Sequence, residues 1–285
     1  MTTVLVNGLF VGLVYGLLAV GLVVVYRGSR IINFAYGETG MLGAFAFSEL
    51  WVDHHVALLV AVVAGIGVSA AVGAATEVVL VRPLRGEPPL TAMVGTLAIA
   101  ALIVAYASRR YGLTPRFLPP LVGGEGFRVS SITVSGSQLT IALVVLAVLA
   151  GLGALYRYTS FGLRLRATAI DPFAAGIVGV DTNRTSLATW ALAGGLAGLS
   201  GILIAPSVAF SVFFMTSLLL RSVAAALVGG LTSIWGAFVA GIILGLAEGL
   251  IGYLAPVNGI VEVALAGFVL TLLLVRPSGL VRSAY

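Results

Sequence analysis

Long apolar runs separated by short polar linkers fill the whole chain. A helix that crosses a bilayer needs about 20 apolar residues. Runs of that order are Val4–Tyr26, Val56–Val81, Leu90–Ser108, Leu139–Tyr156, Ser186–Ala205, Gly236–Leu254 and Ile260–Val275. Gly37–Val52 is a shorter eighth, and Ser217–Gly230 a ninth segment too short to span as a helix. No amphipathic period separates the faces, because positions against lipid and positions against neighbouring helices are both apolar. The pattern predicts an all-α, polytopic membrane helix bundle. It would have about eight spanning helices, plus a short broken segment, in one transmembrane domain over residues 1–285. No basic residue precedes the first run and no clear A-x-A site follows it, so Val4–Tyr26 reads as a spanning helix and not a cleaved signal.

The linkers orient these runs. Under alternate crossing, Arg27, Arg30, Arg82, Arg85, Arg157, Arg164, Arg166, Arg184, Arg276 and Arg282 share one side. Arg109, Arg110, Arg116 and Arg128 fall in one loop on the other. The positive-inside rule puts the richer side in the cytoplasm, with the N-terminus outside and the C-terminus inside. Residues 109–138 form an external loop whose FRVSSITVSGS alternation predicts a short hairpin. Residues 157–185 form a cytoplasmic loop. There Asp171 before Pro172 has the form of a helix N-cap, opening a short helix to about Val178, and Asp181 can cap the next span.

Composition then removes several chemistries. The chain is 60% hydrophobic and 9% charged, with net charge +5 and no cysteine. Every basic residue is an arginine, so the lysine of a phosphate-gripping P-loop is absent and this chain cannot itself be such an ATPase. No metal-spaced cluster or dinucleotide fingerprint occurs, and no cofactor is expected on this chain. GLSG at Gly198–Gly201 has the G-x-S-G form of rhomboid-type intramembrane proteases. A serine nucleophile needs a base within reach, and His54 and His55 both precede Ser200 in a short external loop. A small-residue helix face is the better account.

Intramembrane carboxylates are functional candidates by default. Glu49, Glu77 and Glu262 lie near helix ends, where snorkelling or interfacial hydration would account for them. Glu248 is deeper, with Arg221 as a candidate structural partner. Glu38 sits in the least helix-like stretch of all, INFAYGETGMLGAFAF (Ile32–Phe47), which places Asn33, Glu38 and Thr39 among Gly37, Gly40 and Gly43. Asn33 to Glu38 is expected to be an unwound or bent lead-in. GETGMLGAFAF matches GLTSIWGAFVA (Gly230–Ala240) at Gly37/Gly230, Thr39/Thr232, Gly43/Gly236, Ala44/Ala237 and Phe45/Phe238. Leu80-Val81-Arg82-Pro83 recurs as Leu274-Val275-Arg276-Pro277 at a nearly equal offset. These matches suggest a parallel internal repeat, and interrupted segments at matching positions of two halves mark a translocation path. The residues expected on such a path are Asn33, Phe34, Tyr36, Gly37, Glu38, Thr39, Gly229, Gly230 and Glu248. Two further runs, Gly8, Gly12, Gly16 and Gly241, Gly245, Gly249, are doubled G-x-x-x-G patterns that let helix backbones touch.

Three segments together resemble the permeases of branched-chain amino acid ABC transporters of the LivH type. RIINFAYGETGMLGAF is similar to the element after their first helix. GLRLRATAIDPFAAGIVGVDTNRTSLATWALAGGLAGLSGILIAP is similar to a cytoplasmic loop and the following helix. AALVGGLTSIWGAFVAGIILG is similar to a third shared element. The family pattern falls on Gly162, Arg166, Ala167, Asp171, Ala175, Gly179, Val180 and Asp181. The resemblance implies a bacterial inner-membrane pump with a second homologous permease, two ATP-binding cassette ATPases and an extracytoplasmic substrate-binding protein. It assigns residues 157–185 to ATPase coupling. Arg164, Arg166, Asp171 and Asp181 would supply polar contacts or braces, and Phe173 and Ile177 would enter the ATPase. The expected function is ATP-driven import of branched-chain or hydrophobic amino acids, with hydrolysis on separate chains. The rival class is a stand-alone proton-coupled carrier working through Glu38 and Glu248.

Overall fold

The computed structural model describes residues 1–123, 127–129, 132–255, 257 and 259–275. Its helices in chain order are α1 (Thr2–Ser29), α2 (Tyr36–Ser48), α3 (Leu58–Thr76), α4 (Pro89–Tyr111), α5 (Gly136–Tyr158), α6 (Ser160–Ile170), α7 (Pro172–Ile177), α8 (Thr182–Ile204), α9 (Phe214–Gly229), α10 (Ile234–Leu254) and α11 (Ile260–Val275). Strands β1 (Phe127–Val129) and β2 (Ile132–Val134) pair antiparallel with Phe127 opposite Val134, the hairpin that the alternation anticipates.

Among the described residues, six helices are long and apolar enough to cross a membrane: Thr2–Ser29, Leu58–Val81, Pro89–Tyr111, Gly136–Tyr158, Thr182–Ser207 and Ile234–Leu254. The second of these includes a π-helical turn at Glu77–Val81 that continues α3. A similar turn, Glu49–Asp53, lengthens the 13-residue α2. The segment taken as broken at Ser217–Gly230 is one regular helix, α9, of 16 residues. The break falls after it, where Gly230 takes φ +95 in the turn leading to α10. In the similar segment GETGMLGAFAF, the matching Gly37 is already helical. The two similar segments therefore begin with different local structure.

The helices group into two units. One comprises Met1–Val23, Pro120–Ala147 and Leu220–Tyr285, the other Val24–Pro119 and Val148–Leu219. In the first unit the two G-x-x-x-G runs meet. Gly8 lies on the Gly245 carbonyl, Gly12 on Ile242 and Gly16 on Phe238, with Gly241 and Gly245 facing back onto the α1 backbone.

In the second unit α2, α3 and α8 pack on one another through small residues. Gly43 meets Gly65 and Ser69, Gly40 meets the Ala197 carbonyl, and Gly73 meets the Trp190 carbonyl. The buried residues of α3 are Ala61, Gly65, Ser69, Gly73 and Thr76, a stripe repeating at about one helical turn. Large side chains of the same helix, including Leu59 and Val63, are exposed. This inverts the pattern of a soluble helix. Lipid solvates large apolar side chains, so close backbone approach decides which face is buried.

Candidate functional site

Three constellations hold the residues singled out by the sequence. The first is the lead-in to α2. Its irregular backbone needs partners, because no water in a bilayer core would supply them. Asn33 Oδ1 accepts from the Ala35 N–H at 2.9 Å. The Phe34 N–H donates to Thr96 Oγ1 at 3.0 Å. Thr39 Oγ1 donates to the Ala35 carbonyl at 2.8 Å, and Ser69 Oγ to the Thr39 carbonyl at 2.9 Å. The irregular stretch ends at Ala35, shorter than the sequence reading, which carries it to Glu38. Tyr36, Gly37, Glu38 and Thr39 form the first turn of α2.

Glu38 is buried, and one carboxylate oxygen accepts from Thr216 Oγ1 at 3.1 Å. Its Oε2 and the Tyr36 hydroxyl find no hydrogen-bond partner among the described residues. Thr96 and Thr216 are site residues that sequence reasoning missed. Each is a single threonine in an apolar helix, without a motif around it.

Asn33 is 3% exposed, so replacing it by alanine strands the Ala35 N–H. We expect Asn33→Ala to cost about 1–3 kcal/mol, the penalty of one buried unsatisfied donor. Asn33→Asp should largely retain the contact. Thermal inactivation in detergent, compared across the three proteins, measures this.

The second constellation surrounds Glu248. Arg221 Nε donates to both carboxylate oxygens at 3.1 and 3.0 Å, and Nη2 lies 2.9 Å from Oε1. Tyr15 Oη donates to Oε2 at 2.8 Å. Arg221 Nη2 also reaches Glu262 Oε1 at 3.2 Å. Gly229, the last residue of α9, and Gly230, in the turn that follows, are also expected on a path; Gly229 and Gly236 touch backbone to backbone there.

The third constellation is residues 157–185. Asp171 Oδ1 accepts from the N–H groups of Phe173 and Ala174, capping α7 as its Asp-Pro sequence anticipates. Asp181 caps α8 through the Arg184 N–H at 3.0 Å. The sequence reading missed α6, which Thr159 caps by accepting from the Gly162 N–H at 3.1 Å.

Arg164 and Arg166 are exposed on α6. Phe173 and Ile177 are 79% and 73% exposed, so α7 presents a short, rigid apolar knob. Arg30, in a left-handed conformation (φ 58), donates from Nη2 to the Ala169 carbonyl at 2.7 Å. Arg85 pairs with Asn183 at the start of α8 and with Glu77. A cavity of about 270 Å³ is lined by Arg27, Arg30, Arg85, Thr168, Pro172 and Ser186, among others. The linkers after α1 and α3 therefore meet α6 to α8 at one end of this unit. Elsewhere in the unit, Glu49 pairs with Arg110, and the Arg116 and Phe210 backbones exchange hydrogen bonds at 2.8 and 3.0 Å.

One acid reading changes. Glu77 is not hydrated at an interface. Its side chain is fully buried and held by Arg82 at 3.1 Å and Arg85 at 2.5 Å. Glu49 and Glu262 are ion-paired. Ser200 is buried and donates to the Leu196 carbonyl of its own helix at 2.8 Å, in keeping with a packing role. No group of three or more metal-ligating side chains occurs among the described residues.

Apolar spans joined by glycine seams, buried polar backbone contacts and an exposed capped helix between two spans define a polytopic helical membrane protein. The comparisons make this specific. The family described as "Branched-chain amino acid transport system / permease component" matches residues 4–275. The LivH high-affinity branched-chain amino acid permease protein of Salmonella typhimurium is 31% identical, over 96% of this chain and 93% of that one. BraD of Pseudomonas aeruginosa is 30% identical over 97% and 94%. A probable LivH of Methanocaldococcus jannaschii is 32% identical over 83% and 76%. The chain belongs to this family of branched-chain amino acid transport permeases. Among solved structures, PsaBC from Streptococcus pneumoniae in complex with Fab is similar in fold, with TM-score 0.52 at 17% identity over 95% of this chain and 89% of that one.

Proposed function

We propose that this chain is the translocating subunit of an ATP-driven importer of branched-chain and other aliphatic amino acids. Membership in the permease family carries the reading. It would work in a bacterial inner membrane beside a second homologous permease, with two ATPases and an external binding protein. The N-terminus lies outside and the C-terminus in the cytoplasm under this reading. The gathering of arginines from the α1–α2 and α3–α4 linkers beside α6–α7 supports a common cytoplasmic side. About eight crossings and a parallel repeat belong to the same reading. Gly43 and Gly236 support the repeat, since each seats its helix against another glycine.

Asn33, Phe34, Tyr36, Gly37, Glu38 and Thr39 are the proposed path segment, on the strength of the buried Glu38 and Tyr36 oxygens. Glu248 is tied to Arg221 and Tyr15, which weighs against the proton-carrier alternative.

In this reading α7 docks the ATPase, with Phe173 and Ile177 inserting and Arg164 and Arg166 flanking. Asp171 and Asp181 hold the loop's shape. A central aromatic anchor commonly contributes roughly 2 kcal/mol or more to an interface. Phe173→Asp is therefore expected to abolish copurification of the ATPase and leucine uptake into proteoliposomes. Phe173→Leu is expected to retain both. Unchanged association and uptake in Phe173→Asp would remove α7 from the coupling surface.

A further inference from the structure

A cavity of about 440 Å³ opens beside the Glu248 cluster, lined by Leu220 on α9, Leu244 on α10, Leu265 and Leu270 on α11, and by Arg221 and Glu262. Its volume falls in the range of small-molecule sites, roughly 300–1,000 Å³. Its composition is an apolar wall carrying one cation and one anion.

The two charged groups are held very differently. Glu248 grips Arg221 from behind through Nε and Nη2, and Tyr15 in turn fixes Glu248 at 2.8 Å. The guanidinium plane is thereby set. Glu262 meets only Nη2 in this pair, at 3.2 Å, and its side chain is 64% exposed against 17% for Arg221. Glu262 is thus the less enclosed of the two carboxylates that meet Arg221. In lipid the leucines beside it do not hold α11 on α9 by burial, and the pair is open on its Glu262 side. Its better use is as an exchangeable pair.

We infer that this cleft binds a free aliphatic amino acid as its zwitterion. The inference rests on the transport reading above and deepens it. The ligand carboxylate replaces Glu262 at Arg221 Nη2, since a preset guanidinium is a strong hydrogen-bond donor to a carboxylate. Glu262, released but close by, takes the α-ammonium. Both ionic partners of the resting pair are kept, so no charge is left alone in an apolar wall. The side chain lies against Leu220, Leu244 and Leu265. A solute lacking either charge leaves one member of the pair without its replacement. The cleft thus selects the amino acid backbone by charge and the aliphatic side chain by burial.

The test uses the complete permease–ATPase complex, without binding protein, and tritiated leucine in a scintillation proximity assay. Competitors are 4-methylpentanoate, which lacks the ammonium, and 3-methylbutylamine, which lacks the carboxylate. Wild type should bind leucine, with both competitors weaker by at least about tenfold, the scale on which unpaired buried polar groups discriminate. Glu262→Gln should weaken leucine binding about tenfold and abolish the disadvantage of 4-methylpentanoate. Ala266→Phe fills the cavity from an exposed α11 position and should also weaken binding, with the charges untouched. A merely structural pair would leave the ranking of competitors unchanged. No leucine binding to wild type, or wild-type binding and ranking in both variants, overturns the inference. ATP-driven leucine uptake by the same wild-type complex with its binding protein is measured in parallel. Its absence sinks the transport reading. Normal uptake with an indifferent cleft sinks only the subsite.

Discussion

Gly12→Leu is expected to deplete this protein from the membrane fraction. A Cβ at Gly12 would lie 2.9 Å from both the Ile242 Cα and carbonyl oxygen, and 3.1 Å from the Gly241 oxygen. These are backbone atoms that no rotamer change can move. Leucine adds three further carbons at a point where α1 and α10 already touch. Overpacking costs about 1–3 kcal/mol in cores that can adjust. A helix seam has to separate along its length to relieve the clash, so the upper end applies. Gly67→Leu is the matched control, because a Cβ at Gly67 on α3 meets nothing within 4 Å. Membrane yield and the monodisperse fraction after detergent extraction give the comparison. Equal yields for the two variants would show that the glycine seam does not hold α1 on α10.

The second large effect is expected at Glu77. Replacing Arg82 and Arg85 together by alanine leaves a fully buried carboxylate without either of its cationic partners. Breaking a buried ion pair from one side costs about 3–5 kcal/mol. Here the lower end is appropriate, since both guanidinium groups are about a third exposed. Glu77→Gln should cost less, because the two arginines can turn toward water when their partner is neutral. The ordering, double arginine variant worst and Glu77→Gln mild, is read from the half-inactivation temperature in detergent. The reverse ordering would mean that the arginines, not the acid, are the buried partners in need. The double variant should also disturb α8, since Arg85 bonds Asn183 next to the Asp181 cap.

Much of the α6–α8 region was legible because its signals are local. Asp171 before Pro172 announces α7, and Asp181 announces α8, since a cap depends on two or three consecutive residues. The hairpin at β1 and β2 follows from alternation in the same way. Thr159 carries an equally local cap signal, for α6. The π-helical turn carrying Glu77 had no sequence signature. Its carboxylate meets two arginines from the following linker.

The candidate site divides along the same line. Asn33 and Glu38 stand out in sequence, being polar in an apolar run. Thr96 and Thr216, which bond the Phe34 N–H and the Glu38 carboxylate, do not. Arg221 and Glu248 are 27 residues apart on different helices, and Tyr15 is further still from both. Only folding brings the three together.

By itself the sequence determined that this is an all-helical membrane protein, where most of its spans run, and which short motifs cap the α6–α8 connection. Those properties follow from transfer of apolar segments out of water and from hydrogen bonds between near neighbours. The tertiary structure decided which face of each span is buried, where the irregular lead-in ends and how the acids are paired. In lipid an exposed leucine costs nothing, so hydrophobicity carries no information about inside and outside. The choice falls to backbone shape. Gly8, Gly12 and Gly16 fit Gly241 and Gly245, and Ala61 to Thr76 form the small stripe of α3, through contacts between residues far apart in the chain.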